Sequence, residues 1–126
     1  MKWIAAAVLA AAACGGGTPL YGPPTGSPCP PSSTLTYASF GKPFMDEYCT
    51  RCHASTLHGA ARHGAPAFHD FDTLAGIKNV ADHIDETTAA GPVSVNEGMP
   101  DSGKLPSEAE RKLLGEWIAC GTPSGE

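Results

Sequence analysis

The chain has 126 residues, and its 8 basic and 13 acidic side chains give a formal net charge of −5. This length accommodates one small domain and excludes most large α/β enzyme scaffolds. The acidic balance argues against a nucleic-acid-binding protein, which normally carries a basic surface. The chain also holds five cysteines, an odd number that a simple set of disulfides does not explain.

Residues 1–13 have the pattern of an export signal. Lys2 precedes an apolar run from Trp3 to Ala13, which is shorter than the roughly 20 residues that a helix needs to cross a bilayer. The small residues before Cys14 resemble the signal of bacterial lipoproteins, in which the cysteine is lipidated and the chain is cut before it. Ordinary cleavage near Ala13, which would leave Cys14 as a free thiol, is the alternative. Both routes export the protein, and we expect a lipid anchor at Cys14 that holds it to a bacterial membrane in the periplasm or at the cell surface.

Residues 14–39 form a segment rich in glycine and proline. Six of the twelve prolines lie between residues 15 and 39, and almost no charge does. Such a composition buries too little surface to offset its ordering entropy. The sequence therefore predicts a lipid-anchored tether over residues 14–39, a folded domain over 40–123 and a short tail over 124–126.

The folded domain is predicted to be all-α, with three short helices and long loops. The first helix is expected from Pro43 to Cys52, since proline favours the first helical turn. Asp72 is expected to cap a second helix over residues 73–90, which carries an apolar stripe. Ser107 and Glu110 form a capping box for a third helix that ends at Ala119. The buried face of this third helix is assigned to Leu113, Leu114, Trp117 and Ile118.

A short motif from Cys49 to His53 has the pattern C-x-x-C-H, the attachment signature of c-type haem. Two thiols three residues apart on one turn are each able to form a thioether with a haem vinyl group. His53 then presents its imidazole to the iron from one side. A redox dithiol would require a βαβ setting, and a zinc finger a longer gap before its histidines. We therefore expect one covalent haem c at Cys49 and Cys52, with His53 as an iron ligand.

The second axial ligand is predicted to be Met99, in the glycine- and proline-rich loop before the third helix. Met1 leaves with the signal, and Met45 lies on the helix that leads into the haem motif. The alternatives are an open site or one of four other histidines, namely His58, His63, His69 and His83.

The order of these features resembles the class I monohaem c-type cytochromes over roughly residues 41–121, and more loosely exported cytochrome domains of the lipoprotein type. Cys49, Cys52, His53 and Met99 carry the resemblance. It implies a small cytochrome c-like fold of three to four short helices around the haem. Gly41 and Phe44 are then expected to face Leu114, Trp117 and Ile118 where the first and last helices cross.

The resemblance also implies roles for two residues in the loop that follows the haem motif. The carbonyl of Pro66 is expected to accept a hydrogen bond from the proximal imidazole. Arg62 is a candidate partner for a haem propionate, with a solvated surface arginine as the alternative.

The remaining cysteines, Cys29 and Cys120, are expected to form a disulfide in an oxidising compartment, with unpaired thiols or pairing to another chain as alternatives. Ligation by histidine and methionine saturates the iron and raises its reduction potential relative to two histidines. We therefore expect an electron carrier rather than an enzyme, which exchanges single electrons with exported redox proteins. A haem-based sensor or peroxidase-like domain with an open or labile sixth site is the first alternative. A structural lipoprotein with a vestigial motif is the second.

Overall fold

A computed structural model describes residues 19–125, in which all regular elements are helical. The predicted signal peptide and the lipidation site Cys14 lie outside the described residues. Within this range there is no strand, only an isolated antiparallel bridge between Ala90 and Val95. The prediction of an all-α chain is therefore confirmed for the described part. No helix there has the length and apolarity needed to cross a membrane.

The helical elements follow one another along the chain. They are a π-helix Tyr37–Gly41, α1 Lys42–Tyr48, a 3-10 helix Gly59–Arg62, α2 Leu74–Asn79, α3 Ala81–Thr88 and α4 Glu108–Ala119.

The first helical segment begins earlier and ends earlier than predicted. Thr36 caps the π-helix, because its side chain accepts from the backbone N–H of Ser39 while the Ser39 side chain accepts from the N–H of Thr36. Pro43 lies in the first turn of α1, as expected. The helix ends at Tyr48, and the C-x-x-C-H motif forms tight turns immediately after it. The His53 N–H still donates to the Cys49 carbonyl at 3.0 Å, so the motif stays compact.

The predicted second helix is divided in two at Val80. This residue has φ −134° and ψ 29°, outside the helical region, and it separates α2 from α3. Thr73, rather than Asp72, caps α2, and its side chain accepts from the N–H of Gly76. The apolar periodicity conceals this break, because Val80 itself stays buried and the stripe continues on both sides of it.

The last helix begins with the predicted capping box, in which Ser107 and Glu110 bond reciprocally. Trp117 has no exposed surface, and a Cβ atom on Gly41 would lie 2.4 Å from its ring. This close approach confirms the expected contact between the two ends of the domain. The expected burial of Leu113 is wrong, since it is 40% exposed. The buried face of α4 is formed by Arg111, Leu114, Gly115 and Trp117.

The segment from residue 19 to 39 packs against the domain instead of extending away from it as a tether. Thr25 is only 1% exposed, and its N–H and hydroxyl donate to the Asp85 carboxylate at 2.8 and 2.6 Å. The Tyr37 N–H donates to the Pro123 carbonyl at 2.7 Å. A disulfide joins Cys29 to Cys120, as predicted, at a sequence separation of 91. The composition of this segment gives it little surface to bury by itself. The disulfide and the contacts with the domain surface hold it in place instead.

Candidate cofactor site

A cavity of about 320 Å³ brings together the residues that the sequence singles out. Its wall includes Cys49, Cys52 and His53, from the turns after α1, and Met99, from the loop before α4. Apolar and small residues complete much of the wall, among them Phe71, Ile84, Thr87 and Thr88. The volume falls within the range of sites that bind small organic cofactors.

The two thiols of the motif are free and half-buried. Loss of solvent at the cavity wall raises the pKa of the Cys49 thiol to about 12. Reactive dithiols of oxidoreductases show the opposite behaviour, because a lowered pKa is what makes their thiolate available. The environment of Cys49 therefore does not favour a redox dithiol.

His53 is oriented by hydrogen bonding and by stacking. Its Nδ1 lies 3.3 Å from the His69 carbonyl oxygen, and because a carbonyl only accepts, Nδ1 carries the proton. The ring also stacks on Phe71, with centroids 4.5 Å apart and planes 14° from parallel. Burial lowers the pKa of His53, which favours the neutral imidazole. Protonation at Nδ1 leaves Nε2 as the nitrogen available to a metal.

The predicted role of Pro66 is wrong, because the acceptor for His53 belongs to His69. The Pro66 carbonyl instead accepts from the His69 N–H at 3.0 Å and from Arg62 Nη2 at 2.5 Å. Pro66 lines the cavity and supports the turn that presents His69. The carbonyl that faces His53 is set by how this turn folds, so the sequence pattern does not indicate whether it is that of Pro66 or that of His69, three residues later.

Arg62 supports the loop from a buried position at the cavity wall, so the alternative of a solvated surface arginine is wrong, while its pairing with a propionate stays a prediction. It is only 5% exposed and makes six hydrogen bonds within the loop. Nε donates to the Ala65 carbonyl, Nη1 to Ala54, Leu57 and Asp70, and Nη2 to Pro66 and His69. All three nitrogens are therefore engaged by the protein itself.

Met99 lines the cavity together with three of the four histidines considered as alternatives, which are His63, His69 and His83. His69 is 8% exposed, and its buried Nε2 has no hydrogen-bond partner in the described chain. Its ring lies 5.9 Å from the His53 ring and 23° from parallel to it. His69 and His53 are therefore neighbours in the cavity wall, with their rings stacked.

Comparison of the chain with protein-family models, with curated proteins and with solved structures gave no significant match. Residues 19–125 contain no group of three or more histidine, cysteine or acidic side chains placed to hold a metal ion by themselves.

Proposed function

We propose that this chain carries one covalent haem c, bound through Cys49 and Cys52, and transfers single electrons between exported redox proteins. His53 and Met99 would be the axial ligands. The observation that carries the proposal is the shared cavity, which collects both thiols, the oriented imidazole and the methionine from separate parts of the chain.

The cavity residues fit such a group in their chemistry. The thiols are free for thioether bonds, and His53 presents Nε2 because Nδ1 is occupied by the His69 carbonyl. The buried Nε2 of His69 has no partner within residues 19–125, and a polar group of the cofactor would satisfy it. When bound, the haem iron supplies one-electron chemistry.

Electron transfer is favoured over catalysis because two side-chain ligands leave no coordination position for a substrate or gas. A thioether also favours ferrous iron and so raises the reduction potential. The net charge of −5 favours docking partners with basic surfaces. Lipidation at Cys14 would keep the carrier at the membrane.

The variant Met99→Ala tests this function in protein produced by a host that attaches c-type haem. We expect reduced wild-type protein not to bind carbon monoxide and reduced M99A to bind it, because the alanine leaves the sixth position open. M99A should also lose the weak long-wavelength absorbance band of methionine–iron ligation and show a lower reduction potential.

Met45→Leu is the matched control, since Met45 is fully buried in the core and should leave the band unchanged. Binding of carbon monoxide by the reduced wild type would contradict the carrier function and favour the sensor. An unchanged spectrum in M99A would show that another residue is the ligand.

A further inference from the structure

Arg111 is a buried cation that lies on the inner face of α4. It is 2% exposed, and burial lowers the pKa of its guanidinium. Among residues 19–125 the ion pairs are Lys42–Asp46, Arg62–Asp70, Lys104–Glu47 and Lys112–Glu108, and none includes Arg111. Burying a charge without an opposite charge is costly, so its other contacts must compensate for the lost hydration.

Those contacts are backbone carbonyls from segments distant in sequence. Nη1 of Arg111 donates to the carbonyls of Thr88, Asn96 and Met99, each at 2.8 Å. Thr88 is the last residue of α3, Asn96 follows the isolated bridge, and Met99 is the candidate ligand. The guanidinium therefore joins the end of α3 to the loop before α4 at the residue that faces the cavity.

The Met99 peptide is held from both sides. Its N–H donates to the Thr87 carbonyl at 2.8 Å, and its carbonyl accepts from Arg111. Arg111 is itself fixed at the start of α4, where its N–H donates to the Ser107 carbonyl. These bonds fix the backbone on both sides of the Met99 Cα atom, from which the methionine side chain extends.

We propose that Arg111 is a positioning residue that holds Met99 at the cavity and so maintains methionine ligation of the haem iron. The inference rests on the proposed function and extends it. It states that a residue outside the C-x-x-C-H motif determines how firmly Met99 stays bound to the iron. Arginine suits this task because its planar fork reaches several acceptors while it stays charged.

The test compares haem-loaded wild-type protein with Arg111→Met, Arg111→Lys and the control Lys112→Met. Lys112 is exposed on the same helix, so K112M removes a charge without touching the loop. Imidazole titrated into the ferric proteins reports how often Met99 leaves the iron, since it binds only the open fraction. Losing one charge-assisted hydrogen bond at Met99 should make imidazole bind about tenfold more tightly to R111M.

R111K keeps the positive charge but loses the planar set of guanidinium N–H donors. We therefore expect its imidazole affinity to lie between the affinities of K112M and R111M. K112M should match the wild type, and R111M should show a weakened methionine–iron band. R111M with wild-type imidazole affinity and a wild-type band would overturn the assignment. So would failure of both Arg111 variants to accumulate with haem while K112M does, because Arg111 would then be required by the whole fold. Failure of the proposed function is distinct, since no protein, wild type included, would then carry covalent haem.

Discussion

Replacement of Arg62 by methionine provides a quantitative test of how the loop behind His53 is supported. The guanidinium makes six hydrogen bonds, and its partner Asp70 is 26% exposed at the side chain. Methionine has a similar length but no donor, so R62M leaves buried carbonyls such as those of Ala54 and His69 without that partner. Breaking a buried charge network of this kind costs about 3–5 kcal/mol.

The loss of unfolding free energy is measured by denaturing the haem-loaded proteins with guanidinium chloride and recording the far-ultraviolet circular dichroism. Arg51→Met is the matched control, because Arg51 is exposed and bonds only to Ser102 in the described chain. We expect R51M to lose less than about 1 kcal/mol. Asp70→Asn removes the ion pair but keeps the carbonyl contacts, and we expect it to lose about 1–2 kcal/mol.

The order of the stability losses, with R62M largest, D70N intermediate and R51M smallest, tests whether the carbonyl contacts of Arg62 stabilise the loop more than its ion pair does. If R62M and R51M have the same free energy of unfolding within about 1 kcal/mol, the assignment of Arg62 as the main support of the loop is refuted. If D70N loses as much as R62M, the ion pair rather than the set of carbonyls stabilises the loop.

Two further predictions concern other parts of the domain. The double variant Cys29→Ser/Cys120→Ser removes a link across a sequence separation of 91 and should lower the free energy of unfolding by about 4–5 kcal/mol in the chain-entropy model. A loss below about 1 kcal/mol would show that non-covalent contacts alone hold the N-terminal segment. Hydrogen bonds from Ser55 lower the pKa of Asp72 from its usual 3.8. Its stabilising contribution is therefore present above that value and lost as the pH falls through the lower folded-state pKa. The difference in the free energy of unfolding between wild type and Asp72→Asn should begin to shrink below about pH 4 and vanish only below the folded-state pKa, and a difference that stays constant over that range would contradict this.

Two of the features that the sequence predicted correctly rest on different kinds of signal. The capping box of Ser107 and Glu110 spans one helical turn, and its geometry follows from local backbone preferences. The Cys29–Cys120 pairing was predicted from the chemistry of the other cysteines, without any knowledge of their positions in space.

The features that it did not predict depend on contacts that form only when the loops and segments have folded. Arg62 was expected to pair with a haem propionate or to be solvated, and Arg111 received no role, because the carbonyls that each of them binds converge only in the folded chain. The use of the His69 carbonyl in place of that of Pro66 depends on the turn that Arg62 stabilises. The N-terminal segment was predicted to be an extended tether because its composition does not indicate the contact that Thr25 makes with Asp85 on the domain.

The central claim, one haem covalently bound through Cys49 and Cys52, is tested most directly by the intact mass of the chain after denaturation. Protein from a host that attaches c-type haem should show the mass of the polypeptide plus one haem, and the reduced, denatured sample should keep its haem absorbance. Cys49→Ser/Cys52→Ser should show the polypeptide mass alone. A wild-type chain that carries no added haem mass in such a host would contradict the account.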